Sequence, residues 1–237
     1  MSKKVIDIEI VKGVFVKDNI IFKEIFPSIF LFKFSNQYHI TSTFIRLQEF
    51  YESSDQIIKD NYFTLEDIID RYSDKKGNFT YFSDWSGFNV SRNTVKRFYE
   101  IFFIEHGDFT KKERILFDII INNISFRKDV KDFYIIGIYT YRDINHELSH
   151  AFYNLDSDYE KEMKSLIRKY QYKKEVRQWL YKIKYSKEQL DDEMQAYLST
   201  SNRNSLTNLE FSNKWEIPEE FNQCYKKYKK IWKNKKL

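Results

Sequence analysis

His146, Glu147, Leu148, Ser149 and His150 set two imidazoles four residues apart, with a carboxylate between them. On an α-helix, positions four apart lie about 40° from one another on successive turns, so both rings reach one metal ion. Two histidines leave a zinc ion room for a third protein ligand and a water. A carboxylate beside that water takes its proton as the metal lowers its pKa, and Glu147 is in the sequence position to do so. The spacing predicts a hydrolytic centre containing Zn2+, built from half of the chain's 4 histidines.

A third ligand must come from elsewhere. Glu193, in the run Leu190-Asp191-Asp192-Glu193-Met194-Gln195-Ala196-Tyr197, falls on the helical face shared by Leu190 and Tyr197. A carboxylate on an apolar face needs a partner, and a bound zinc would satisfy it, whereas Asp191 and Asp192 can turn to solvent. Asp192 and Glu160 are the alternatives, and a Glu193 that flanks the core and meets water or lysine is the competing account. Tyr153 and Tyr197 share faces with His150 and Glu193 and are candidates to stabilise an oxyanion. With 18 tyrosines in the chain, core packing accounts for each of them more simply. His39 and His106 are read as structural or exposed histidines.

The H-E-L-S-H segment on one helix and Glu193-Met194-Gln195-Ala196 on a later one resemble the gluzincin type of zinc metallopeptidase. The resemblance covers residues 134–200. It implies His146, His150 and Glu193 as ligands, Glu147 as general base, and residues 132–141 as the edge strand lining a substrate cleft. The implied activity is peptide hydrolysis, with a polypeptide as substrate.

The elements that must position these residues show in the periodicity. Residues 5–10, 14–16 and 29–34 combine β-branched and aromatic side chains with partial alternation, as strands do. Helical spacing follows over residues 41–53, where Gln48, Glu49 and Glu52 read as the solvated side. Thr64 with Asp67 opens a helix over residues 65–72, and residues 75–90 read as turn, short strand and turn; residues 84–89, with aromatic and polar groups alternating around Gly87, read as a tight turn in preference to a substrate-contacting loop. Helices are expected over residues 94–104 and from Thr110 to about Ile121, then a strand over residues 132–141. Four helices follow in succession: residues 146–154 capped by Asp143, a second capped by Ser157 and Glu160, a third over residues 175–183, and a fourth capped by Ser186 and Gln189. A polar loop is expected over residues 199–213, and Pro218 begins a terminal helix.

The expected fold is therefore α+β: an N-terminal β-rich portion packed with a C-terminal helical, metallopeptidase-like portion, the active-site helix following an edge strand. A chain of 237 residues suits one unit spanning residues 1–237. Within it, residues 1–130 form the β-rich and helical portion, 131–200 the zinc-site strand and helices, and 214–237 a basic terminal helix.

Composition narrows the setting. The longest stretch free of charged side chains, residues 34–45, falls short of the roughly 20 apolar residues that a membrane span needs, so no transmembrane segment is expected. Asp7 and Glu9 interrupt the apolar run of a secretory signal, and Cys224 is the only cysteine, which together predict a cytoplasmic protein without disulfides. Residues 222–237 carry 7 lysines and no acid, whereas the whole chain carries a net charge of only +5. The body is nearly neutral, which argues against nucleic acid as the main partner. Tyr225, Tyr228 and Trp232 recur at helical spacing among those lysines. Docking of this stripe on the body is preferred to a weak contact with an anionic surface. The rival to a peptidase is a non-catalytic protein, with structural zinc or none, that works by interaction.

Overall fold

The computed structural model describes residues 14–17, 20–73, 77–125, 128, 130–182, 185–200 and 217–235. The strand expected over residues 5–10 lies outside them, as does the expected loop from residue 201 onward.

Five strands form one mixed sheet: β1 (Val14–Lys17), β2 (Ile20–Phe26), β3 (Ile29–Lys33), β4 (Gly87–Ser91) and β5 (Tyr134–Ile138), in the order β1-β2-β3-β5-β4. β3 and β5 run parallel, with Ile29 opposite Tyr134 and Lys33 opposite Ile138, and every other pairing is antiparallel. Because successive side chains on a strand point to opposite faces, β3 and β5 feed two cores. Phe30, Phe32 and Ile135 join Phe22, Phe88 and Val90 on one face, while Ile29, Leu31, Tyr134, Ile136 and Ile138 supply the other.

The first core is covered by α1 (Gln37–Glu52), α2 (Leu65–Tyr72), α3 (Tyr81–Asp84), α4 (Arg92–Phe98) and α5 (Lys111–Ile120), the last two continuing into wider π turns. The second is covered by α6 (Ile144–Leu155), α7 (Ser157–Lys169), α8 (Lys173–Lys182), α9 (Leu190–Thr200) and α10 (Glu219–Asn234). The fold is α+β, as expected. No helix among the described residues is long and apolar enough to cross a membrane.

Two features of the sheet correct the sequence reading. β2 was not anticipated, and β5 is not an edge strand: it is hydrogen-bonded to β3 on one side and β4 on the other. The physical reason is visible in its residues, Tyr-Ile-Ile-Gly-Ile, all five buried, which is how a strand covered on both faces reads. Among the described residues the edges are β1 and β4, and β4 begins within the residues expected to make a turn. Gly137 in β5 permits the close approach of α1, because a Cβ there would lie 3.0 Å from Phe44 Cε2 and 3.2 Å from Ile40 Cδ1.

α1 is held by more than its apolar face. Arg46, 1% exposed, donates to Glu113 Oε1 and Oε2 at 2.9 and 2.6 Å and to Asp108 Oδ2 at 2.6 Å. Burial disfavours the guanidinium charge, but Glu113 and Asp108 outweigh it and raise the Arg46 pKa. Glu113 also accepts from the Thr110 amide at 2.7 Å, completing the expected capping box of α5. The boxes at Thr64 with Asp67 and at Ser186 with Gln189 are likewise present. For α7 the cap is Asp156 rather than Ser157, and Asp143 precedes α6 without a capping hydrogen bond.

The expected stripe on α10 docks. Phe221, Tyr225, Tyr228 and Trp232 are buried in the second core, and Trp232 Nε1 donates to Asp156 Oδ2 at 2.9 Å. Burying four such side chains contributes roughly 1.5–3 kcal/mol each, before the entropy of ordering the helix is subtracted.

Candidate metal centre

α6 lies with Leu148, Ala151 and Phe152 in the second core, so the 3.6-residue period turns His146, Glu147 and His150 toward α9 and β4. On α9, Met194 and Leu198 enter the same core and bring Glu193 to the histidines. His146 Nε2 and His150 Nε2 are 3.2 Å apart. The Glu193 carboxylate straddles them, with Oε2 3.7 Å from His146 Nε2 and Oε1 3.5 Å from His150 Nε2. One ligand atom from each of the three residues lies within 4.8 Å of the others, an arrangement that could hold a metal ion.

Two observations test whether these residues fit a metal. Ligands about 2.0–2.2 Å from a tetrahedral ion stand about 3.3 Å from one another, close to the separations between these side chains. Glu193 is 4% exposed, and its Oε2 is buried without a hydrogen-bond partner among the described residues. Such an orphan atom is costly in an apolar setting, and a cation at this point would satisfy it. The donors, two imidazole nitrogens and a carboxylate, suit zinc.

Outer contacts fix both histidine and glutamate. His150 Nδ1 lies 2.8 Å from Asp192 Oδ1, which leaves Nε2 facing His146 and Glu193. Asp192 is itself held by Asn154 Nδ2 at 3.3 Å and Gln195 Nε2 at 3.0 Å. Gln195 Oε1 in turn accepts from the Tyr159 hydroxyl at 2.9 Å. Burial opposes charge on His150, but Asp192 and Glu193 outweigh it and raise its pKa to about 10. Glu193 is shifted down: burial pushes it up, and the imidazoles of His150 and His146 more than reverse that.

Glu147 is not one of these three residues but lies in the same cleft, a cavity of about 1170 Å³. Its Oε2 accepts from Asn89 Nδ2 at 2.9 Å. The orientation of that amide is set by Tyr134, whose hydroxyl donates to Asn89 Oδ1 at 2.5 Å, while the Tyr51 hydroxyl donates to the Asn89 backbone oxygen. Burial pushes the Glu147 carboxyl up, against the pull of His146, His150 and the Asn89 hydrogen bond. On its other side Oε1 faces Gly87, where a Cβ would lie only 2.2 Å away.

The structure thus brings together His146, Glu147, His150 and Glu193, the four residues singled out from the sequence. Neither alternative ligand belongs to the cluster: Asp192 stands behind His150, and Glu160 pairs with Lys164 at 2.6 Å on α7. Asp191 pairs with Arg177. Tyr197 sets its ring edge-on to His146 at 4.8 Å, whereas Tyr153 packs against the second core below Lys164. His39 accepts or donates at Ser35 Oγ, and His106 stacks on Tyr62; neither lines the cleft.

Gln48 and Glu52 correct the sequence reading. They were assigned to a solvated face, yet they are 5% and 9% exposed and line the cleft. α1 packs against β4 and four other helices, among them α3 and α5, so it has little free face left for polar residues. Asn89, Tyr134 and Tyr185 also line or support the site without any local signal in the sequence. Comparison with family models, curated proteins and solved structures finds no match to this chain.

Proposed function

We propose that this protein is a zinc-dependent hydrolase of the gluzincin type, a metallopeptidase that cleaves polypeptide with Glu147 as general base. The observation that carries the reading is the convergence of His146, His150 and Glu193, whose Oε2 has no hydrogen-bond partner among the described residues, beside a separately held Glu147. Held by His146, His150 and Glu193, zinc would supply Lewis acidity toward a carbonyl and would lower the pKa of water.

The remaining work falls to the chain. Glu147 takes a proton from the attacking water and delivers it to the departing amine. Asn89 fixes Oε2, and the missing side chain of Gly87 makes room for Oε1 itself. Asp192 orients His150, the supporting role that a carboxylate behind a metal-binding histidine performs. A polypeptide substrate is favoured because β4 borders the cleft and pairs only with β5 among the described residues, leaving an edge on which an extended chain can add as a strand. The same reading sets the protein in the cytoplasm, supported by its single, buried cysteine.

The test is hydrolysis of an internally quenched peptide mixture by purified protein. Activity should vanish with a chelator and return with zinc, and Glu147→Gln should keep zinc while losing on the order of 10²–10⁴-fold in rate. Undiminished hydrolysis by Glu147→Gln, or none by zinc-loaded parent protein, contradicts the proposal.

A further inference from the structure

The cleft has a second polar wall that the hydrolytic reading does not use. Gln48 and Glu52, one turn apart near the end of α1, line the same cavity as His146 and Glu147. Gln48 Nε2 donates to Glu52 Oε2, which turns the amide nitrogen to the carboxylate and leaves Oε1 as the free acceptor of the side chain. Gln48 Oε1 is buried and has no hydrogen-bond partner among the described residues.

This wall offers acceptors: an amide oxygen beside a carboxylate with lone pairs to spare. An unpaired buried acceptor is costly, so a wall built this way suits a ligand that brings several donors. A negative group is disfavoured at this wall, because the Glu147 carboxyl shares the cavity with Glu52. The cations on the cavity, Arg142 and Lys182, are exposed, and Arg142 lies 3.7 Å from Asp143. Trp85 lines the cavity too, and an indole face attracts cations. An ammonium offers three donors and a guanidinium five, both with positive charge, and no neutral side chain matches that combination.

We propose that Gln48 and Glu52 form a specificity subsite for a cationic side chain of the substrate, the ammonium of lysine or the guanidinium of arginine. This rests on reading the cavity as the substrate cleft of the hydrolase. Burial and the neighbouring Glu193 push the Glu52 carboxyl up, so it takes its charge against an arriving cation; Gln48 Oε1 takes a further donor, and the Gln48–Glu52 hydrogen bond holds the pair in place.

The experiment separates recognition from cleavage. Binding of N-acetyl-lysine amide and of its neutral counterpart N-acetyl-norleucine amide is followed by tryptophan fluorescence in the full chain, with and without zinc. The lysine probe should bind at least about tenfold more tightly. Glu52→Gln and Gln48→Leu should each erode that preference while zinc stoichiometry stays at the parent value. Discrimination by the parent protein needs no variant, so a variant that misfolds does not remove the test. Equal binding of the two probes by the parent protein overturns the subsite, as does a preference that survives both substitutions. Lysine preference without any peptide hydrolysis supports the subsite and contradicts the peptidase reading; hydrolysis without preference does the reverse.

Discussion

Gly87→Ala isolates the general base from the metal. The added Cβ would meet Glu147 Oε1 at 2.2 Å and Cδ at 2.9 Å. A relaxed carbon–oxygen contact lies near ~3.3 Å, so one partner must retreat by about 1 Å. β4 is hydrogen-bonded along its length to β5, whereas Glu147 Oε1 is the end of a side chain, so the carboxylate is the partner that moves. The cost in stability is small, about 1 kcal/mol, because a side-chain tip adjusts more cheaply than a strand. The cost in catalysis is larger: displacing a reacting group by ~1 Å lowers kcat/KM on the order of 10²-fold. Zinc affinity should be unchanged, since neither residue is a ligand. Isothermal titration with zinc, a urea melt and peptide hydrolysis measure the three quantities on one preparation. Parent-level kcat/KM in Gly87→Ala would refute the placement of Glu147 at the reacting centre, and a loss of zinc matching that of His150→Ala would refute its separation from the metal.

Other expected outcomes use the same preparations. Asp192→Ala should weaken zinc binding by roughly 10–100-fold through its contact with His150. Glu193→Ala should weaken it further, and Asp191→Ala, paired with Arg177 away from the cluster, should leave it near parent; a zinc titration that reversed this order would exclude Glu193 as ligand. Glu113→Ala leaves the buried Arg46 charge without its bidentate partner and should destabilise the fold by about 3–5 kcal/mol in urea denaturation. Trp232→Ala removes a side chain that stacks on Phe152 at 5.5 Å and donates to Asp156, for a loss of about 3–5 kcal/mol. An unchanged melt would mean that α10 contributes nothing to the body it packs on.

The site was legible where chemistry and period coincide locally. The four-residue spacing of His146 and His150 is a property of one helix, and the phase of Glu193 follows from its own helix in the same way. Capping boxes at Thr64, Thr110 and Ser186 are likewise local, and so is the aromatic stripe of α10. What escaped depends on contacts between distant segments. Asn89 reaches Glu147 across 58 positions, and nothing near Asn89 announces the partner. Asp192 looked solvent-facing because helical phase carries no information about Asn154 and Gln195, which turn it to His150. The edge strand was misassigned because strand order in a sheet is not a local quantity, although the fully buried run of β5 already argued for an interior position. Gln48 and Glu52 were misread because polar residues were taken to mark solvent, and in this fold they mark a cleft.

The most direct measurement is anomalous diffraction at the zinc absorption edge from crystals of protein supplied with equimolar zinc. A single peak about 2.0–2.2 Å from His146 Nε2, His150 Nε2 and a Glu193 carboxylate oxygen is the expected result. A peak at other residues, or zinc-free crystals from a protein that binds none in solution, would contradict the account.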